Sequence, residues 1–364
     1  MTLHLYLARR FGFTLFSVVA IFGVLTFLID FIEQARRYGG EANGLGQLAE
    51  LSFLRLPQSL YQIIPLIVII ATLSHFLSLA RNSELVVIRG SGRSAIAALI
   101  APLSVSFLFG AAAVAVLNPL VAATLREHEA RVGSMRGSES VLALADDGLW
   151  LRQGNALGQT VIHAGRSNLD GTELSDVSFL IFSADNRPQR RIIAETARLG
   201  AGAWDIQNAK VWPLRDAANP EAASLELPSL RLPSDLTAAE IRNSFGTPAS
   251  VPIWQLPEFI DRLTAAGFTA RRHEVFFHTE MATPLFLVAM VLISAAFTMR
   301  HHRSGQMGIY LLSAVLLSFG VYFLRNFAQI LGENGQIPTL LAAWGPPVAA
   351  ILLVSGLLLH LEDG

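Results

Sequence analysis

His273, Glu274 and His278 are residue types that could hold a zinc ion and use it on water. The two histidines are five apart, which turns them about 140° from each other around a helix, whereas a helical zinc pair needs a spacing of four. They read as interfacial histidines. His301 and His302 lie between Arg300 and Arg303 and read with them as a positive anchor beside a membrane. The phosphate-cradling pattern G-x-x-x-x-G-K-[ST] is absent, and Lys210 is the only lysine that could serve one. The nucleophile patterns G-x-S-x-G and S-x-x-K are absent too. There is no cysteine, which removes disulfides, thiolate metal sites and a thiol nucleophile together.

Two clusters survive this search. The first is Arg81-Asn82-Ser83-Glu84-Leu85-Val86-Val87-Ile88-Arg89-Gly90-Ser91-Gly92. Asn82 or Ser83 can cap a short helix, Glu84 suits its positive end, and Gly90 or Gly92 can stop it. Four consecutive apolar residues then face solvent, either as an interfacial elbow or as a knob for the groove of a soluble partner. The second is Asp30, Glu33, Arg36 and Arg37. Asp30, Glu33 and Arg37 are three or four apart and share a helix face, with Arg36 at its border. The arginines either snorkel at a helix C-terminus or form a guanidinium site for a phosphorylated amphiphile.

The elements that carry these clusters are membrane helices. The chain has 364 residues, 52% hydrophobic and 15% charged, with a mean hydropathy of +0.47. Soluble domains carry about 25% charged residues. A net charge of −1 argues against a nucleic-acid binder. The charge is also uneven: residues 126–280 hold 36 of the 55 charged side chains. Apolar stretches at 11–29, 56–80, 94–125, 281–299, 304–324 and 334–361 are each long enough to cross a bilayer, which takes about 20 residues. No ionisable pair or triad falls inside these stretches. The first is too long for a cleaved leader and ends in Asp30-Phe31-Ile32-Glu33, so it is expected to stay as an anchor.

Arginine in the short loops favours an inside N-terminus. Arg9, Arg10, Arg81, Arg89, Arg93, Arg300 and Arg303 fall inside, against Arg36, Arg37, Arg55 and Arg325 outside. The polar block between the third and fourth spans then lies outside. Its runs at 148–152, 160–163, 177–182, 191–194, 203–206 and 210–212 are short and bounded by turn residues, which predicts an all-β sandwich or jelly roll. Leu256, Phe259, Ile260 and Leu263 predict an amphipathic helix at the membrane face. The expected division is 1–125 (three spans and the elbow at about 82–90), 126–250 (the β domain) and 251–364 (interfacial helix and three spans).

The whole chain resembles the LptF/LptG permeases of the lipopolysaccharide-export ABC transporter. The segment from Ser83 to Gly92 is similar to the family's coupling helix, and Gly148-Leu149-Trp150 and Phe31-Ile32-Glu33-Gln34-Ala35-Arg36-Arg37 look more like the LptG branch. The resemblance implies a six-span α-helical bundle with an inserted periplasmic β-jellyroll, in the bacterial inner membrane. It implies a heterodimer with an LptF-like permease, two copies of an LptB-like ATPase, a single-span LptC-like protein and an LptA-like periplasmic bridge. ATP and magnesium would be used by the ATPase, this chain being non-catalytic and binding no cofactor. Glu84, Leu85, Val86, Ile88 and Arg89 would contact the ATPase. Glu33, Arg36 and Arg37, with Arg131 and Arg136 past the third span, would meet the lipopolysaccharide head group, which enters by a gate of the first and fifth spans. Asp30 departs from the family, where a basic residue can stand. The competing expectation is a membrane-anchored scaffold or sensor, which would not need the apolar knob.

Overall fold

A computed structural model describes the chain except at residues 1, 39–43, 91–93, 137–141, 146–147, 156–157, 169–171, 184, 186, 201, 216–218, 235, 237–240, 242–246, 266–268, 300–306 and 364. The chain forms two compact units. One holds Met1–Met135, Ala249–Trp254 and Arg271–Gly364; the other holds Arg136–Pro248 and Gln255–Ala270.

The first unit is helical: α1 (Thr2–Tyr38), α2 (Leu45–Arg81), α3 (Glu84–Gly90), α4 (Ala95–Ala112), a π-helical turn (Ala113–Leu117), α5 (Asn118–Arg136), α7 (Arg271–Thr298), α8 (Met307–Glu333) and α9 (Thr339–Asp363). Among the described residues six spans are long and apolar enough to cross a membrane, with α4, the π turn and α5 forming the third. All six expected spans are present, and the helices outrun the apolar stretches. The reason is that a helix ends where its backbone loses partners, not where its side chains turn polar. α1 therefore carries Asp30, Glu33, Arg36 and Arg37 on regular helix.

Packing sorts the spans. The fourth, α7, is central, with 78% of its most apolar window buried, against 11% for the first and fifth. Apolar surface costs nothing in lipid, so close packing is what holds such helices together. Gly110 of α4 lets Pro284 of α7 approach so closely that a Cβ there would lie 2.8 Å from its Cα. Gly332 of α8 does the same against Ala342 and Val275, where a Cβ would stand 2.6 Å from the Ala342 Cβ. The π turn leaves its carbonyls out of register, and one is used: Trp254 Nε1 donates to the Ala115 carbonyl at 3.1 Å. Asn118 follows the turn and accepts from the Ile253 amide at 3.0 Å.

The second unit is a seven-stranded antiparallel sheet: β1 (Leu142–Ala145), β2 (Gly148–Asn155), β3 (Gly158–Ser167), β4 (Glu173–Ser183), β5 (Pro188–Gly200), β6 (Ala203–Pro213) and β7 (Leu225–Pro233). The inserted β domain is present, and its strand order, which sequence left open, is sequential from β1 to β7. Alternating residues line one face, and Phe179 and Trp204 meet edge-on with centroids 6.2 Å apart in its core.

Two expectations are corrected here. Residues 126–135 continue the third span as helix and belong to the helical unit, so the sheet unit begins at 136 rather than 126. α6 (Leu256–Ala265) is the expected amphipathic helix, but its apolar residues Phe259, Ile260 and Leu263 pack into the core of the sheet unit instead of onto a membrane face. Amphipathic spacing shows that a stripe is covered, not what covers it.

Candidate functional site

α2 turns into α3 through two residues. Asn82 caps the end of α2, its amide bonding the Ser78 carbonyl at 3.1 Å. Ser83 takes φ 57, a left-handed conformation uncommon for serine, and its carbonyl accepts from the Val87 amide. Ser83 thus holds the cap position of α3 through its backbone, and among the described residues no bond from the Asn82 or Ser83 side chain to an α3 amide is seen. Glu84 is instead held by α1: Arg10 Nη1 pairs with its Oε2 at 2.5 Å and the Tyr6 hydroxyl donates to the same oxygen at 2.9 Å. Asn82 Nδ2 donates to Oε1 at 3.3 Å, and Arg10 Nη2 reaches Ser78 Oγ on α2 at 2.9 Å. Hydrogen bonds from Arg10 hold the Glu84 carboxyl below its ordinary range, against the opposing effect of burial.

The expected four-residue knob is divided. Leu85 and Ile88 are buried in the apolar core of the helical unit, while Val86 and Val87 are exposed by 54% and 70%. The spacing of three between Leu85 and Ile88 puts both on the inner face of a helix, so a run of four apolar residues cannot all face outward. α3 ends at Gly90 as expected, and the Arg89 side chain and Gly92 lie outside the described residues.

At the far end of α1, Glu33 accepts from both arginines, at 3.0 Å from Arg36 Nη2 and 2.5 Å from Arg37 Nε. Asp30 accepts from Ser59 Oγ of α2 at 2.6 Å. α5 reaches the same end of the helical unit: Val132 packs against the Tyr38, Leu48 and Leu51 cluster, and buried His128 Nε2 lies 3.3 Å from Gln34 Nε2. Arg131 pairs there with Glu127 at 2.7 Å and with Glu50. The Arg136 side chain lies outside the described residues. Structure thus gathers Glu33, Arg36, Arg37 and Arg131 at one end, each arginine already facing a carboxylate.

One polar group went unseen in the sequence. Glu280 of α7 is 6% exposed and accepts from the Tyr61 hydroxyl of α2. Arg325 of α8 donates from Nη2 to Thr283 Oγ1 at 3.0 Å and stacks over the Phe286 ring at 4.5 Å. Both ionisable residues sit about two turns inside their helices. They lie just outside the apolar stretches that begin at 281 and end at 324, and only helix extension and tertiary packing bring them to one cavity. The signal available is their position: Glu280 directly precedes the apolar stretch of the fourth span and Arg325 directly follows that of the fifth.

Comparison with known proteins adds a family. Residues 5–360 match the family described as lipopolysaccharide export system permease LptF/LptG. The lipopolysaccharide export system permease protein LptG of Escherichia coli strain K12 is 26% identical over 356 residues, covering 95% of this chain and 94% of the relative. The protein of the same name in Haemophilus influenzae is 22% identical over 375 residues, covering 97% and 96%.

Proposed function

This chain belongs to the LptF/LptG family of lipopolysaccharide export permeases, and we propose that it works as the LptG-type half of an ABC transporter that lifts lipopolysaccharide out of the bacterial inner membrane. The observation that carries this reading is the match over residues 5–360, which takes in the six spans and the inserted sheet alike. An LptF-like permease completes the membrane cavity. Two LptB-like ATPase subunits bind below and use ATP and magnesium, which fits a chain whose own sequence has no P-loop. An LptC-like single-span protein and an LptA-like bridge take the lipid onward from the sheet unit on the periplasmic side.

Physical chemistry supports the division of labour. Moving an acyl chain from lipid to water costs about 0.8 kcal/mol per methylene, so extraction needs both an energy source and a covered route. The ATPase supplies the first. The second is the cavity between the two permeases, followed by the periplasmic bridge.

The α3 elbow is the coupling contact in this reading. Val86 and Val87 present the apolar surface to the ATPase, while Leu85 and Ile88 fasten α3 to the bundle. Arg10 and Tyr6 tie Glu84 to α1, so a push on α3 is felt directly by the first span. At the other end of α1, Arg36, Arg37 and Arg131 face the phosphorylated head group, with Glu33, Glu50 and Glu127 as the carboxylates a phosphate would displace. A native mass spectrum of the tagged chain, extracted gently from its own host, tests the assembly. The expected mass fits two different permeases and two ATPase copies; a stable lone chain or homodimer across several mild detergents overturns it.

A further inference from the structure

The Glu280–Arg325 region is a cavity of about 350 Å³, within the size range of small-molecule sites. Besides the two ionisable groups it is lined by carboxamides, among them Gln58, Asn326 and Gln329. An apolar slot of about 160 Å³ adjoins it between α2 and α8, lined by Ile63, Leu66, Ile69 and Phe319. The two spaces share Gln62, Pro65 and Tyr322. On α2 the chamber starts at Gln58 and the slot extends to Ile69; on α8 the slot starts at Ser318 and the chamber extends to Gln329. The polar chamber therefore lies toward one end of both helices and the apolar slot toward their middle. That is the arrangement of a lipid in a leaflet, head outward and chain inward.

The charges in the chamber narrow the head group. Arg325 spends Nη2 on Thr279 and Thr283, and its Nε and Nη1 have no acceptor among the described residues. Those N–H groups form a fork of the kind that meets phosphate oxygens. Glu280 lines the same chamber with its carboxylate anchored by Tyr61, yet no ion pair joins it to Arg325 among the described residues. A guanidinium and a carboxyl group with no direct ion pair between them, in one chamber, complement a head group that carries both signs, its ammonium being the cation that would hold the buried carboxyl ionised.

We propose that the chamber and slot bind a zwitterionic amine phospholipid, its phosphate on Arg325, its ammonium on Glu280 and one acyl chain in the slot. The site is separate from the arginines at the end of α1, and the inference stands whether or not the chain exports lipopolysaccharide. The test uses the purified full-length protein, stripped of lipid by repeated detergent exchange. It is offered equal amounts of phosphatidylethanolamine, phosphatidylcholine and phosphatidylglycerol with identical chains, and retained lipid is counted by native mass spectrometry. Phosphatidylethanolamine should be retained over phosphatidylglycerol by about fivefold, the ratio expected of a single buried ion pair most of whose attraction is offset by desolvation. Phosphatidylcholine, whose ammonium has no N–H to donate, should fall between them. Glu280→Gln should bring the ethanolamine-to-glycerol ratio close to one. Equal retention of all three lipids by the wild-type protein, or preference for phosphatidylglycerol, overturns the proposal even if the variant does not fold.

Discussion

Glu84 and its apolar neighbours divide two tasks that look alike in sequence. Leu85 is 5% exposed and Val87 is 70% exposed, although both are aliphatic residues of one short helix. An aspartate at Leu85 would be buried without a partner and should destabilise the chain by about 3 kcal/mol or more. The same residue at Val87 should leave thermal stability almost unchanged while abolishing co-purification of the ATPase. A melting curve and a pull-down on Leu85→Asp and Val87→Asp check both halves. Glu84 also sets a pH dependence. Arg10 lowers its folded-state pKa, so the stability it adds is complete above the ordinary carboxylate value of about 4.3 and is lost as pH falls through the lower folded value. The melting-temperature gap between wild type and Glu84→Gln should stay constant from about pH 7 to 5 and close on further acidification. At this scale the sequence was legible in part. Spacing alone put Glu33 and Arg37 on one face, and they do pair. The Arg10–Glu84 pair spans 74 positions and needs the tertiary fold to be seen.

Helices and strands were the most legible level, because each has a period that side chains must obey. Apolar length marks all six spans, and short runs between turn residues mark β2 to β5; the runs at 203–206 and 210–212 join into the one strand β6, and β1 and β7 have no run that announces them. What stayed hidden were the ends and the partners. α1, α7 and α8 run past their apolar stretches, and this is why Glu280 and Arg325 looked like flanking charges when they are internal ones. α6 has a clear apolar stripe, yet nothing in its spacing says that the sheet core covers it. Close helix approaches were equally silent, since a glycine in a span has many uses. Gly332 makes one such approach, and valine there would meet Ala342 and Val275 with no room to yield. Gly332→Val should cost about 2 kcal/mol through overpacking and lower the detergent melting temperature, whereas Gly12→Val, with nothing within 4 Å, should not. A melt of Gly332→Val as stable as wild type would show that α8 and α9 do not pack this closely.

As a whole molecule the chain combines a central fourth span, two peripheral spans with open apolar faces and an inserted sheet. The open faces of the first and fifth spans suit a partner permease and a gate, and the elbow suits a soluble subunit. The central claim is that these parts move lipopolysaccharide at the expense of ATP. Its most direct test is reconstitution of the chain with its partner permease, ATPase and single-span protein in proteoliposomes loaded with lipopolysaccharide. Transfer to a soluble periplasmic acceptor carrying a photo-crosslinker is then followed in time. The account predicts crosslinked lipopolysaccharide that accumulates only with ATP, and that falls to background when Val87→Asp replaces the wild-type chain. Transfer at the same rate without ATP, or undiminished transfer with Val87→Asp, would contradict it.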